Sequence, residues 1–406
     1  MQGVYNKIGL FGFGCVGHGL YQVLQAAQDA PFLIHKVCIR DATKERPVHD
    51  LEFTTDKESL LYDPAIKIIV ELTSDPDAAL EIVTTALRNG KSVVSANKKM
   101  IAEHLPLLQR LQEQYGTSLL YEASSAASIP IIRNLESYFN RDNILCIQGI
   151  LNGSTNYILH RMFTEQCTYA AAFAEALQSG FLEADSDNDI LGYDSRFKLS
   201  ILSAHAFGRY ISPEQIWCRG IQGITKEDAH FAQRHGYVIK LIAGAKRSAI
   251  GIHADVAPHC IPVGEPLAGV HYADNGIQLE SAFAGLQFFK GTGAGGIATG
   301  SAVWSDISAV SEGYRYRYAK KQVALPVGIP DVARGPEEEP PLLQDTLLRV
   351  YIRYTGGSFI PEELFEEIEE VFTRGATSYC IGTAQISALQ HTNILQDDRV
   401  CILVLP

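Results

Sequence analysis

The chain has 406 residues, more than one ordinary hydrophobic core accommodates, so two or three domains are expected. Hydrophobic residues make up 46% and charged ones 20%, a globular balance; no apolar run approaches the roughly 18–20 residues of a membrane span, and the opening MQGVYNKIGLFGFG lacks the regions of a signal peptide. A formal net charge of −12 with no basic block excludes a nucleic-acid footprint, and eight cysteines without a CxxC pair or a zinc-like spacing read as reduced thiols in a cytoplasm.

Strand and helix signals alternate through the first 135 residues. KIGLF (7–11) leads into glycines and then a helix from Val16 to Gln28. Strands follow at 34–40 and 66–73, a helix from Pro76 to Arg88, a strand at 92–97, a helix to Tyr115 and a strand at 118–123. Proline suits a first helical turn and Gly90 a stop. Strands alternating with helices imply βαβ units and a doubly wound parallel sheet of Rossmann type over residues 1–135, completed by a helix near 296–320.

From 136 to 295 the pattern becomes an α+β substrate and dimerisation domain. It runs from the strand near 144 through helices and an acidic loop to a long helix at 194–208, then a β-rich stretch at 237–289. Residues 325–341, rich in Pro, Gly and Glu, read as a linker. Residues 342–406 read as a small α+β module: strand 347–354, helix 361–372, strand 377–384 and a final strand at 399–406.

Gly12-Phe13-Gly14-Cys15-Val16-Gly17 fits GxGxxG between the first strand and the first helix. The glycines serve a tight turn, close approach of a pyrophosphate and helix–strand packing, while the helix N-terminus offers amides to phosphate. A nicotinamide dinucleotide is the ligand this context selects. At the end of the second strand an acidic residue binds the ribose 2′-hydroxyl of NAD, whereas an arginine accommodates the 2′-phosphate of NADP. Arg40 favours NADP, and Asp41 keeps NAD open.

Between Glu183 and Lys198 lies an acidic segment that opens DxDxD. As a calcium loop it fails, because Ile190 stands where the turn glycine belongs and Arg196 where the closing glutamate belongs. Asp194 and Lys198 are four apart at a helix start and share one face. They form either a structural ion pair or a catalytic lysine oriented by a carboxylate.

Several further stretches together resemble the homoserine dehydrogenase family through most of residues 7–315. GILNGSTNYIL (149–159) matches G-x-x-N-G-T-T-N-Y-I-L, and the 183–199 segment matches E-A-D-P-x-x-D-x-x-G-x-D-x-x-x-K-L. SANKK (95–99), YEA (121–123), PII (130–132) and GAGG with SAVWSDI complete the set. The resemblance implies NAD(P)H-dependent interconversion of L-aspartate 4-semialdehyde and L-homoserine in threonine, methionine and isoleucine biosynthesis, by a homodimer. It further implies that Lys98 and Lys198 act as acid/base and polarising lysines, that Asp194 positions the reacting end or Lys198, and that Glu183 and Asp189 hold the substrate ammonium. Thr73, Ser74, Ala96 and Asn97 are expected along the nicotinamide.

Where the family has V-G-G-G-I-P, this chain has Ser124-Ser-Ala-Ala-Ser128-Ile-Pro130, and P-T-x-S after GAGG becomes Ala298-Thr-Gly-Ser301. Alanine and serine adopt positive φ only at a cost. The family's monovalent cation, Na+ or K+, would fall to the Glu122 side chain and the carbonyls of Ser125, Ala127 and Ile129. The C-terminal module resembles an ACT-type domain in position and in its strand–helix–strand start, which implies inhibition by threonine. Two competing readings are another amino-acid-linked dehydrogenase of the same fold and a catalytically weakened dinucleotide-binding regulator.

Overall fold

The computed structural model describes residues 6–27, 31–46, 48–182, 186–318, 341–343, 346–355, 362–375, 377–391, 397 and 399–406. Contacts divide the chain into unit 1, residues 1–140 with 292–319, and unit 2, residues 141–291 with 320–406.

In unit 1, β1 (Asn6–Phe11), β2 (Phe32–Cys38), β3 (Phe53–Thr54), β4 (Ile66–Glu71), β5 (Ser92–Ser95) and β6 (Leu119–Leu120) form a parallel sheet. Its order, β3-β2-β1-β4-β5-β6, reverses between β1 and β4, the place where such sheets open a crevice for a dinucleotide. Ile8, Leu10, Ile68, Ile69, Val70, Val93 and Val94 are buried, as expected of strands covered on both faces. The helices are α1 (Cys15–Ala26), α2 (Glu58–Leu61), α3 (Pro76–Arg88), α4 (Lys98–Tyr115) and α5 (Ile131–Ser137). α3 starts where Asp75 accepts from the amides of Asp77 and Ala78 and Pro76 takes the first helical position. A later helix, Gly296–Ser311 (α11 in chain order), packs along α1.

Unit 2 opens with β7 (Ile144–Ile150), followed by α6 (Gly153–Thr164), α7 (Tyr169–Gln178), α8 (Asp187–Ile190) and α9 (Tyr193–Phe207). Next come β8 (Trp217–Cys218), α10 (Lys226–Arg234), β9 (Tyr237–Arg247), β10 (Ile252–Pro262), β11 (Asp274–Ser281) and β12 (Gly285–Thr292). The C-terminal elements are β13 (Leu347–Thr355), β14 (Phe365–Arg374), β15 (Thr377–Gln385), α12 (Ile386–His391) and β16 (Cys401–Val404). One sheet joins them in the order β12-β11-β7-β9-β10-β16-β13-β15-β14, with β8 on β10.

The C-terminal residues therefore do not open strand–helix–strand as an ACT-like module. The expected helix 361–372 is, over its described residues, a short 3-10 turn (Glu362–Leu364) and part of the strand β14. Phe365, Ile368 and Val371 recur every three residues, which imitates a helix. Two register shifts, between Phe365 and Glu367 and between Ile368 and Glu370, each insert one residue, so this spacing returns to the same face of a strand. Phe365 and Ile368 then join a core with Trp217, Ala257, Val350 and Val404, while Phe372 stacks on its cross-strand partner Tyr379 at 5.0 Å.

A buried ion pair ties β13 to α10. Arg353 Nε donates to Asp228 Oδ1 at 2.7 Å, Arg353 Nη2 donates to the Gly223 carbonyl at 2.7 Å, and the Tyr351 hydroxyl reaches the same carboxylate at 3.1 Å. The other oxygen of Asp228 caps α10 through Thr225. Of the expected linker 325–341, all but Pro341 lies outside the described residues; the Pro341 carbonyl accepts the amide of Ile252 at 2.8 Å.

Candidate active site

In unit 1 the turn after β1 requires glycine. Gly12 has φ +89°, and a Cβ there would stand 2.6 Å from the Leu72 carbonyl oxygen. Gly14 precedes α1 without a side-chain cap, and a Cβ on it would meet nothing within 4 Å. The first-turn amides at Cys15, Val16 and Gly17 are thus arranged as an anion cradle with room above it. Phe13 leaves the cradle sideways, edge-on to Phe53 at 5.3 Å. Past β2, Arg40 is exposed, while the Asp41 carboxylate accepts the Thr43 amide at 2.9 Å and the Thr43 hydroxyl at 2.6 Å. Those two donors hold Asp41 below the usual carboxylate range.

Glu71, at the end of β4, organises the next two turns. One oxygen accepts the amide and the hydroxyl of Thr73, both at 2.6 Å, and the other accepts the Ser95 hydroxyl at 2.6 Å. Ser95 Oγ in turn accepts the Asn97 amide, and Asn97 Nδ2 donates to the Thr73 carbonyl at 3.1 Å. Asn97 also caps α4 by accepting from the Met100 amide. Thr73, Ala96 and Asn97 are thereby fixed around one buried carboxylate, whose pKa burial raises; Ser74 lies beside Thr73 and is exposed. Lys98 is the first residue of α4 and half-buried, whereas Lys99 is exposed and faces Glu103 at 3.9 Å.

Of the expected cation ligands, the Glu122 side chain and the Ile129 carbonyl accept backbone amides. Both oxygens of Glu122 accept backbone amides at the start of α5, from Ile132 at 2.8 Å and Arg133 at 2.7 Å. The Ile129 carbonyl accepts the Ile131 amide. Asp306 takes the Glu122 amide at 2.8 Å and pairs with Arg133 at 2.8 Å. Burial, with Asp306 adjacent, pushes the Glu122 carboxyl up to about 8, and burial lifts Asp306 to about 6. Ala127 itself holds φ +48°, the left-handed conformation that glycine adopts without strain.

In unit 2 the chemistry gathers at the starts of α6 and α9. Gly192, at φ +84°, turns the chain from α8 into α9, and Asp194 then lies in the first turn of α9, where the helix dipole favours an anion. One turn on, Lys198 Nζ stands 2.7 Å from Asp194 Oδ2 and donates to the Leu151 carbonyl at 2.6 Å. Both side chains are buried. Asn152, the cap of α6, donates from Nδ2 to Asp189 Oδ1 at 2.6 Å and to Asp194 Oδ2 at 3.0 Å. Asn275, fully buried, also donates to the Leu151 carbonyl, at 3.3 Å. Asp189, Asp194 and Lys198 are thus brought into one cluster, while Glu183 lies outside the described residues.

Three organising residues carry no role in the sequence reading: Glu71, Asn152 and Asn275. A glutamate closing the apolar run IKIIV was a visible signal, because an ionisable group in a buried strand needs partners. Asn152 sat within a quoted motif without a role of its own. His18, half-exposed, and His205, fully buried, stand in α1 and α9.

Among the described residues no group of three or more metal-ligating side chains is poised for a metal ion, and no helix is long and apolar enough to cross a membrane. All eight cysteines are free.

Two family models match: the homoserine dehydrogenase NAD-binding domain over residues 12–122 and homoserine dehydrogenase over residues 130–308. Homoserine dehydrogenase of Lactococcus lactis is 38% identical over 312 residues, covering 74% of this chain and 73% of that protein. The Bacillus subtilis enzyme is 32% identical over 383 residues, covering 92% of this chain and 86% of its own. Among solved structures, a homoserine dehydrogenase from Thiobacillus denitrificans superposes with a TM-score of 0.84 at 29% identity, covering 99% of this chain and 98% of that one. With the glycine cradle in unit 1 and the carboxylate–lysine cluster in unit 2, these matches place the chain in the homoserine dehydrogenase family, NAD(P)-binding oxidoreductases acting on the hydroxyl of homoserine.

Proposed function

We propose that the chain interconverts L-aspartate 4-semialdehyde and L-homoserine with NADPH as the preferred reductant, in the supply of threonine, methionine and isoleucine. The observation that carries the chemistry is the buried Asp194–Lys198 pair at 2.7 Å. The dinucleotide, bound at Gly12–Gly17, supplies the hydride. As the aldehyde carbon gains a C–H bond, the carbonyl π pair moves onto oxygen, and Lys198 Nζ stabilises and protonates the alkoxide; in oxidation the same nitrogen accepts the hydroxyl proton. Asp194 holds Lys198 in place. Asp189, with Glu183, receives the substrate ammonium, and Lys98, at the start of α4, serves as the second acid/base lysine.

The NADP preference rests on Arg40 being exposed after β2 while Asp41 is already engaged by Thr43. A 2′-phosphate gains a guanidinium there, and a 2′-hydroxyl finds its customary carboxylate turned to other donors.

The purified chain given aspartate 4-semialdehyde should consume NADPH and form homoserine one for one, with a higher kcat/KM for NADPH than for NADH. Absence of homoserine with either reductant would overturn the activity, and equal use of both would overturn the role of Arg40.

A further inference from the structure

We propose that Asn152 is a positioning residue for the reaction: its single side-chain amide sets the spacing and ionisation of the two carboxylates that meet the substrate. The inference rests on the assignment of Asp189, Asp194 and Lys198 given above.

Asn152 is only 6% exposed, and its two ends do different work. Oδ1 accepts the Thr155 amide at 2.9 Å and the Thr155 hydroxyl at 3.0 Å, which fixes the side chain as the cap of α6. Nδ2, fixed by that cap, donates to Asp189 Oδ1 at 2.6 Å and to Asp194 Oδ2 at 3.0 Å. Two carboxylates drawn this close repel, and the usual outcome is that one of them takes up a proton. A neutral donor shared between them favours the ionised form of both, and hydrogen bonds to an ionised acceptor are about twice as strong as neutral ones.

The consequence is a division of labour. Asp194 Oδ2 receives both Lys198 Nζ and Asn152 Nδ2, so the lysine is aimed from two sides through one oxygen. Asp189 sits on α8, a helix of one turn, and Asn152 links it to the start of α6. Without that link the ammonium-binding carboxylate loses its register with the proton-transferring pair, and a substrate carrying both groups can satisfy only one at a time. The Leu151 carbonyl, one residue earlier, accepts a hydrogen bond from Lys198, so the segment before α6 fixes the lysine, the orienting carboxylate and the ammonium site together.

The test separates capping from positioning. Serine caps a helix about as well as asparagine but is too short to reach either carboxylate, so Asn152→Ser keeps α6 and removes both donors. Asn152→Ser should remain folded at the assay temperature with wild-type NADPH affinity and a modestly lower melting temperature, while kcat/KM for homoserine falls about ten- to hundredfold with KM raised. Asn152→Asp also keeps the cap but adds a third carboxyl. Its activity should recover as pH falls, because a protonated carboxyl donates one hydrogen bond, whereas the wild type shows no such recovery.

Unchanged kcat/KM in Asn152→Ser, or a loss that follows its melting temperature with no change in pH profile for Asn152→Asp, would overturn the positioning role. An inactive wild type would instead overturn the assigned activity.

Discussion

Replacing Lys198 with alanine should lower kcat in both directions by about 10²- to 10⁴-fold, the range typical for loss of a positioned acid/base group. Lys198 lies inside a helix buried on nearly every side, with its ammonium between the Asp194 carboxylate and the Leu151 carbonyl. A lysine desolvated to this extent needs compensation from fixed partners, and those partners also fix the place of its ammonium. Alanine removes the proton donor and leaves Asp194 without its cation. NADPH affinity should stay within about twofold, because the glycine cradle belongs to unit 1. Turnover within tenfold of wild type, in protein with a native melting temperature, would contradict the role.

The largest effect on stability is expected at Arg353. Its guanidinium is 2% exposed and pairs with Asp228, which is fully buried. Removing one partner of a buried ion pair strands the other charge, at a cost of about 3–5 kcal/mol. Arg353→Met keeps most of the volume and should still lose that amount, because the Asp228 carboxylate and the carbonyls of Gly223 and Arg399 all lose their donor at once. Denaturant unfolding would show the shift. The loss should extend beyond β13, since Asp228 also caps α10 and the C-terminal strands share a core with Trp217 and Ala257. A loss below about 1 kcal/mol would mean that the pair contributes specificity without stability.

The parallel sheet of unit 1 was legible because its signals are local. Buried strands such as IKIIV are continuous apolar runs, and Gly12 and Gly17 mark a turn that only small residues can make. Pro76 announced the start of α3 to the residue. The C-terminal strands were not legible at the same level. Phe365, Ile368 and Val371 carry a period of three, and only the bulges opposite β15 convert it into a strand, a choice made by non-local pairing.

The same distinction runs through the site. Lys98, Asp194 and Lys198 were nameable because charged groups in a motif point to chemistry. The hydrogen-bond partners of Glu122 were not legible because the amides that open α5 reach it only through the fold, ten residues later. Asn152 was passed over for the opposite reason. A helix cap is a complete local explanation, and the second use of its amide appears only when α8 and α9 return to the start of α6.

The most direct test of the account is a crystal structure of the chain with homoserine and NADPH, a pair that cannot react. The substrate hydroxyl should lie about 3 Å from Lys198 Nζ, with the ammonium on Asp189. A hydroxyl beyond about 4 Å from Lys198 and paired with another side chain would contradict it.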